Sequence, residues 1–171
     1  MKKILAILVA LMMVLPIAAL AEEDQQAYTV EITFDGSYIP FEEDGFQIYL
    51  PNEWIVFEIT PEWEEQGIYF ASGSEDGSQI MMLSMMAGEG YELTNLAEEM
   101  SVSFTGVQII TINDIGFVTY DIDESNSSGM VALNENGSAY NFVFTPADDA
   151  DYMTLAMQIM ASIQNLSTVT E

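Results

Sequence analysis

Cysteine and histidine are absent from this 171-residue sequence, and only two side-chain cations stand against 28 Asp and Glu, for a formal net charge of −26. Both cations, Lys2 and Lys3, lie at the very N-terminus, and every acidic residue follows residue 21. Each absence excludes chemistry. No disulfide can form. Ser-His and Cys-His nucleophile systems cannot be assembled. The usual zinc and copper(II) ligands are missing. Beyond residue 3 there is no lysine for a Schiff base, no P-loop, and no side-chain clamp for phosphate or carboxylate. Nucleic acid is excluded as a partner, because its binding rests on cations that neutralise phosphates. Anionic membrane surfaces repel such a chain for the same reason.

The N-terminus reads as a secretory leader. Met1-Lys2-Lys3 is a short positive stretch, Ile4 to Leu15 is uninterrupted apolar sequence, Pro16 breaks it, and Ala19-Leu20-Ala21 places small residues where a signal peptidase reads. Cleavage is expected after Ala21, before Glu22-Glu23-Asp24. No cysteine is present for a lipid anchor, and no second apolar run reaches the ~17–25 residues needed to span a bilayer. The mature chain is therefore expected to be secreted, without a stable membrane anchor, and free of Lys, Arg, His and Cys. A lysine-led leader suits a bacterial source. A chain with no Lys or Arg also offers no trypsin-type cleavage site, which suits a protease-rich fluid; high salt, which screens self-repulsion, is the competing explanation.

What is present is apolar and aromatic. Half of the chain is hydrophobic, so its charge does not imply disorder, which needs low hydrophobicity as well. The expected division is a leader over 1–21, an N-terminal segment with one strand over 22–44, and a single α+β domain over 45–171. Tyr28 to Phe34 alternates apolar and polar residues, as a half-buried strand does. Further strands are expected at Phe46–Leu50, Trp54–Ile59, Ile68–Ser72, Gln79–Met86, Val107–Ile112, Ile115–Ile122, Gly129–Leu133 and Ala139–Thr145. Glu75 to Ser78, Asn113-Asp114 and Asn136-Gly137 supply turns. Leu93, Leu96, Ala97, Met100 and Phe104 recur at helical spacing, with Thr94 or Asn95 as cap. Tyr152, Leu155, Ala156, Ile159 and Ile163 form the apolar stripe of a C-terminal helix led by Asp148 and Asp149. The order strands, helix, strands, helix predicts a mostly antiparallel sheet with two helices packed against it.

The segment Asp44-Gly45-Phe46-Gln47-Ile48-Tyr49-Leu50-Pro51-Asn52-Glu53-Trp54 resembles the opening of PsbP-like domains, the family of the extrinsic photosystem protein and its exported bacterial relatives. The resemblance extends over roughly Gly45 to Leu166 through the order of hairpins and closing helix. It implies an exported binding or accessory domain and carries no catalytic constellation onto these residues. The photosystem members dock through basic surface residues, which this chain lacks, so that role does not transfer.

Carboxylates, hydroxyls, amides and thioethers remain as candidate site chemistry. Asp121, Asp123 and Glu124 stand at the start of a calcium-like loop, but Asn126 and Ala132 occupy the places where an EF-hand has glycine and an acidic residue. They are the candidate metal residues, with Ca2+ as the cation; the competing reading is a polar turn. Asp148, Asp149 and Asp151 read more simply as a helix N-terminus. Met81, Met82, Met85 and Met86 have the thioethers for Cu(I), but strand alternation splits them between two faces. Trp54 and Trp63 among glutamates suggest either a sugar-binding surface or core packing. The expected function is a secreted, acidic, non-enzymatic binding domain with no catalytic residue, no cofactor and a neutral or cationic partner. The alternatives are an extracellular Ca2+-binding protein and a carboxylate-only glycoside hydrolase.

Overall fold

The computed structural model of the protein describes residues 26–166. The leader reading falls outside them. Along the described chain run β1 (Gln26–Tyr28), β2 (Gly36–Phe41), β3 (Phe46–Pro51), β4 (Ile55–Val56), α1 (Pro61–Glu65), β5 (Ile68–Gly73), β6 (Ile80–Ala87), α2 (Leu93–Met100), β7 (Thr105–Ile112), β8 (Ile115–Ile122), β9 (Ser127–Leu133), β10 (Ala139–Thr145), α3 (Ala150–Ala161) and β11 (Gln164–Asn165). A single 3-10 turn, Asp123–Ser125, joins β8 to β9. Eight strands form a large sheet in the order β1-β7-β8-β9-β10-β6-β5-β4, and β11-β3-β2 form a small one. Every pairing is antiparallel except that of β1 with β7. This is the expected α+β class, with α1 as an additional short helix.

Turn chemistry sets the hairpins. Asn113 and Asp114 both take positive φ, 47° and 69°, the geometry of the two-residue turn that matches strand twist. At the β9–β10 turn, Asn134 Oδ1 accepts from the backbone N–H groups of Asn136 (3.0 Å) and Ser138 (2.9 Å).

The N-terminal segment corrects the expectation of one strand over Tyr28 to Phe34. Its described part holds two strands, β1 and β2, one in each sheet, and the stretch between them pairs with no strand. Side-chain amides replace the ladder there. The Val30 N–H donates to Asn113 Oδ1 (2.9 Å), Asn113 Nδ2 donates to the Val30 carbonyl (2.8 Å), and the Thr33 N–H donates to Gln158 Oε1 (2.8 Å). Val30 and Phe34 pack on the core, whereas Tyr28 and Ile32 of the same alternation are exposed.

The large sheet is covered unequally. On one face, Phe46, Ile48 and Leu50 of β3 and Tyr152, Ala156, Ile159 and Met160 of α3 meet Met81, Leu83, Ile110, Ile112, Phe117, Met130, Tyr140, Phe142 and Phe144. The small sheet and α3 thus seal that face with one continuous core. Each large aliphatic or phenylalanine side chain among them contributes about 1.5–3 kcal/mol on burial. Asp149 caps α3, accepting from the N–H groups of Asp151 and Tyr152 (3.0 Å each); no basic residue stands in the last turn. On the other face, Leu96 and Met100 of α2 pack on Val118, Tyr120, Val131 and Ala139.

Two local expectations change. Glu92, not Thr94 or Asn95, occupies the cap position of α2, and its side chain makes no capping bond. The helix begins early because Leu93 packs against bare Gly116, where a Cβ would come within 2.4 Å of Leu93 Cδ1. Trp54–Ile59, expected as one strand, gives only β4, because the chain turns into α1. Thr60 caps α1 by accepting from the Trp63 N–H (3.3 Å), and Pro61 occupies its first turn. Thr-Pro signals a helix start here rather than only a strand stop.

Candidate functional site

The helix α2 lies against β7 and β8. Beyond it the second face is open over β10, β6 and β5, and a groove of about 670 Å³ runs there. Ile80, Met82 and Ser84 of β6 and Asn141, Val143 and Thr145 of β10 contribute its floor. The register sets them side by side as Ile80–Thr145, Met82–Val143 and Ser84–Asn141. Trp63, Gln66 and Ile68 line it from the β5 edge, and Phe104, Tyr120 and Ile122 from the α2 side. Strand alternation makes this division: Tyr140, Phe142 and Phe144 point into the sealed core while Asn141, Val143 and Thr145 point into the groove.

One network organises the floor. Gly129 lies opposite Tyr120 in the β8–β9 register. A Cβ on Gly129 would fall 2.0 Å from Tyr120 Cε1, so glycine lets the phenol ring cross β9 toward β10. There the Tyr120 hydroxyl donates to Asn141 Oδ1 at 2.9 Å. Phe104 packs on the ring with centroids 4.4 Å apart. Asn141 is 7% exposed, yet its Nδ2 donates to no acceptor among the described residues, and the adjacent Ser84 hydroxyl has no partner among them either. Further along, the Ser127 and Thr145 hydroxyls share a 2.6 Å bond, and Ser125 donates to Ser127 at 3.0 Å.

No carboxylate and no cation is among the described lining residues. Burial pushes the Tyr120 phenol above its ordinary pKa. None of the described lining residues is a base that takes a proton near neutrality from the hydroxyls of Ser84, Ser125, Ser127 and Thr145. The arrangement is suited to recognition by shape and hydrogen bonds.

The residues singled out from sequence are distributed elsewhere. Asp121 lies near the end of β8 with its carboxylate against Gly106. Asp123 and Glu124 lie in the 3-10 turn, where Asp123 Oδ2 accepts from the Thr105 hydroxyl at 3.3 Å. Among the described residues, no three His, Cys, Asp or Glu side chains converge on a point that could hold a metal. Asp149 caps α3, and Asp148 accepts from Asn126 Nδ2 at 2.6 Å. Asp76 is already engaged: the Ser78 N–H and the Ser78 and Ser74 hydroxyls hold its carboxyl at about 2. Met81 is sealed in the core, whereas Met82, Met85 and Met86 line the groove. Trp54 packs on the sealed core near Tyr152, and Trp63 lines the groove, so the two indoles serve different surfaces. Asn141, Ser84 and Tyr120 were not singled out from sequence. For Asn141 and Ser84 the signal is a lone polar residue in the middle of an otherwise apolar strand, Asn141 between Tyr140 and Phe142 and Ser84 between Leu83 and Met85; Tyr120, between Thr119 and Asp121, carries no such signal.

Among the described residues no helix is long and apolar enough to cross a membrane. No family model matches the chain, and no curated protein matches it. Solved structures do. The cyanobacterial PsbP (CyanoP) of Synechocystis sp. PCC 6803, determined in solution, matches with a TM-score of 0.51 and 11% identity over 78% of this chain and 95% of that one. A crystal structure from Bacteroides thetaiotaomicron VPI-5482 matches with a TM-score of 0.50 and 14% identity over 71% of this chain and 45% of that one. The order of strands and helices, the two layers over a mostly antiparallel sheet, and these likenesses together show that the chain has the PsbP-like fold.

Proposed function

We propose that this chain is an exported, non-enzymatic binding or accessory domain whose working surface is the groove over β10, β6 and β5. The observation that carries this reading is the contrast between a chain of net charge −26 and a cleft with no carboxylate in its described lining, where the Asn141 amide nitrogen reaches the groove surface without a protein acceptor among the described residues. Such a cleft is neutral ground within a negative field. It favours an uncharged group in the cleft, and the surrounding field favours a partner with neutral or cationic flanks. Export rests on the leader sequence, and the PsbP-like fold supports an accessory role.

The test is a thermal-shift survey of uncharged, anionic and cationic small molecules on the chain from Glu22 onward, beside a Ser84→Trp variant that fills the groove. Stabilisation of the parent chain that disappears in the variant is expected, since a ligand that binds only the folded state raises its stability. Turnover of aryl glycosides that a single Glu→Gln change abolishes would overturn the reading in favour of a hydrolase. The Ca2+ alternative at Asp121, Asp123 and Glu124 requires millimolar Ca2+ to raise the melting temperature beyond Mg2+ or Na+ at matched ionic strength. No such excess is expected.

A further inference from the structure

We propose that the groove takes an uncharged ligand with a carbonyl head and an aliphatic tail, the head held by Asn141 and Ser84 and the tail lying along Met82, Val143 and Trp63. This rests on the reading of the groove as the working surface and names the chemistry it accepts.

The head follows from hydrogen-bond accounting. Asn141 is 93% buried, and its Oδ1 is taken by the Tyr120 hydroxyl at 2.9 Å. That bond fixes the amide, leaving both Nδ2 protons for the groove. No buried side-chain nitrogen or oxygen is left unpaired among the described residues, so Nδ2 reaches the groove surface and offers its protons to whatever occupies the groove. Ser84 is its cross-strand partner, with Cβ atoms about 5 Å away on the same face. Its hydroxyl also lacks a protein partner among the described residues. A carbonyl oxygen has two lone pairs and can accept from both.

The tail follows from the rest of the floor. The next pair along the two strands is Met82 and Val143, with Trp63 reaching over from the β5 edge. Thioether and aliphatic surface adapts to an alkyl chain. A sugar would leave most of its hydroxyls against these groups unpaired. An extended peptide strand has no ladder to join, because β10 and β6 are interior strands paired on both sides.

Neutrality follows from charge. A carboxylate head meets the same two donors, but it enters a chain of net charge −26 with no cation in the described lining. An ammonium is drawn to the protein at large, yet the groove offers it no carboxylate. Either ion loses hydration without a counter-charge.

The experiment compares octanamide, octanoate and octylammonium, which share a tail, on the ¹⁵N-labelled chain from Glu22 onward. The Asn141 side-chain NH₂ pair is followed by NMR. Octanamide is expected to shift those signals saturably, with octanoate weaker by about tenfold or more. Octylammonium is expected to perturb resonances near surface carboxylates without saturating those of Asn141. Asn141→Leu and Ser84→Ala should each weaken octanamide by about three- to tenfold, the worth of one neutral hydrogen bond. Ser84→Ala keeps the Tyr120–Asn141 bond, so it tests the head contact even where Asn141→Leu disturbs the fold. Unmoved Asn141 signals with octanamide, equal binding of either ion, or unchanged affinity in Ser84→Ala would each overturn the inference. If another compound still stabilises the parent chain and not Ser84→Trp, only this inference fails; if none does, the broader reading fails with it.

Discussion

The two faces of the large sheet come from the same strands, residue by alternate residue, and they have opposite fates. Toward the small sheet and α3, β10 sends Tyr140, Phe142 and Phe144, all at most 3% exposed. Toward the groove it sends Asn141, Val143 and Thr145. The sealed face has its polar atoms satisfied internally, as where the Tyr152 hydroxyl donates to the Ile80 carbonyl at 2.7 Å. The open face keeps an amide nitrogen and a hydroxyl without partners among the described residues. A fold needs only one sealed face to be stable. The other is therefore free to hold hydrogen-bonding groups that the protein itself does not pair.

The sharpest way to break this comparison is to truncate neighbours on β10. Phe142→Ala should cost about 3–5 kcal/mol, because a fully buried aromatic leaves a cavity that packed neighbours cannot close. Val143→Ala, one residue on and pointing the other way, should cost about 1 kcal/mol or less. Urea unfolding followed by circular dichroism measures both. Equal losses would mean that the groove face is as structural as the sealed one.

Gly129 tests whether the open face has order of its own. Gly129→Ala places a methyl 2.0 Å from the Tyr120 ring carbon, and overpacking of this kind costs about 1–3 kcal/mol. The ring must leave Asn141, so the tyrosine near-ultraviolet circular dichroism signal should change along with stability. A variant as stable as the parent, with an unchanged Tyr120 signal, would show that the phenol is not locked over β9.

The sequence made the sealed face legible and the open one not. The strands from Phe46 to Leu50 and from Ala139 to Thr145, and the helix from Asp149, could be read because apolar periodicity and capping chemistry are local. Trp63 was noticed, but not its surface, since which face an indole joins depends on the turn into α1. Asn141 and Ser84 went unread because an isolated polar residue in a strand looks alike whether it faces solvent, a neighbour or a cleft. Their pairing depends on the β6–β10 register, across residues separated by a helix and three strands. The Tyr28–Phe34 stretch shows the same limit: its alternation was visible, and the side-chain amides of Asn113 and Gln158 that hold it were not.

A smaller effect concerns the seal itself. Asp149 satisfies two N–H groups at the start of α3, and no cation offsets the other end. Asp149→Ala should lose about 1 kcal/mol, and Asp149→Asn should recover most of it, since asparagine caps as well. If the loss belonged to charge rather than to capping, the asparagine variant would fall with the alanine one. Hydrogen exchange should place the loosening in α3 and leave Asn141 and Ser84 on β10 and β6 unaffected.

The smallest predicted effect sets one tyrosine of each face against the other. Burial, then the negative charge of Asp44, push the Tyr140 phenol up to about 12. Tyr120 is raised by burial. In both cases the folded pKa lies above the ordinary value near 10. The neutral phenol therefore favours the folded state, fully below pH 10, and for Tyr140 that contribution is lost as pH rises through about 12. Asp44→Asn removes the charge from one side of the sheet only. It should lower the Tyr140 titration midpoint, read from the ring carbon chemical shift, and leave that of Tyr120 in place. If both midpoints moved together, the two faces would be electrostatically coupled through the sheet, and the neutrality assigned to the groove would not be independent of the carboxylates outside it.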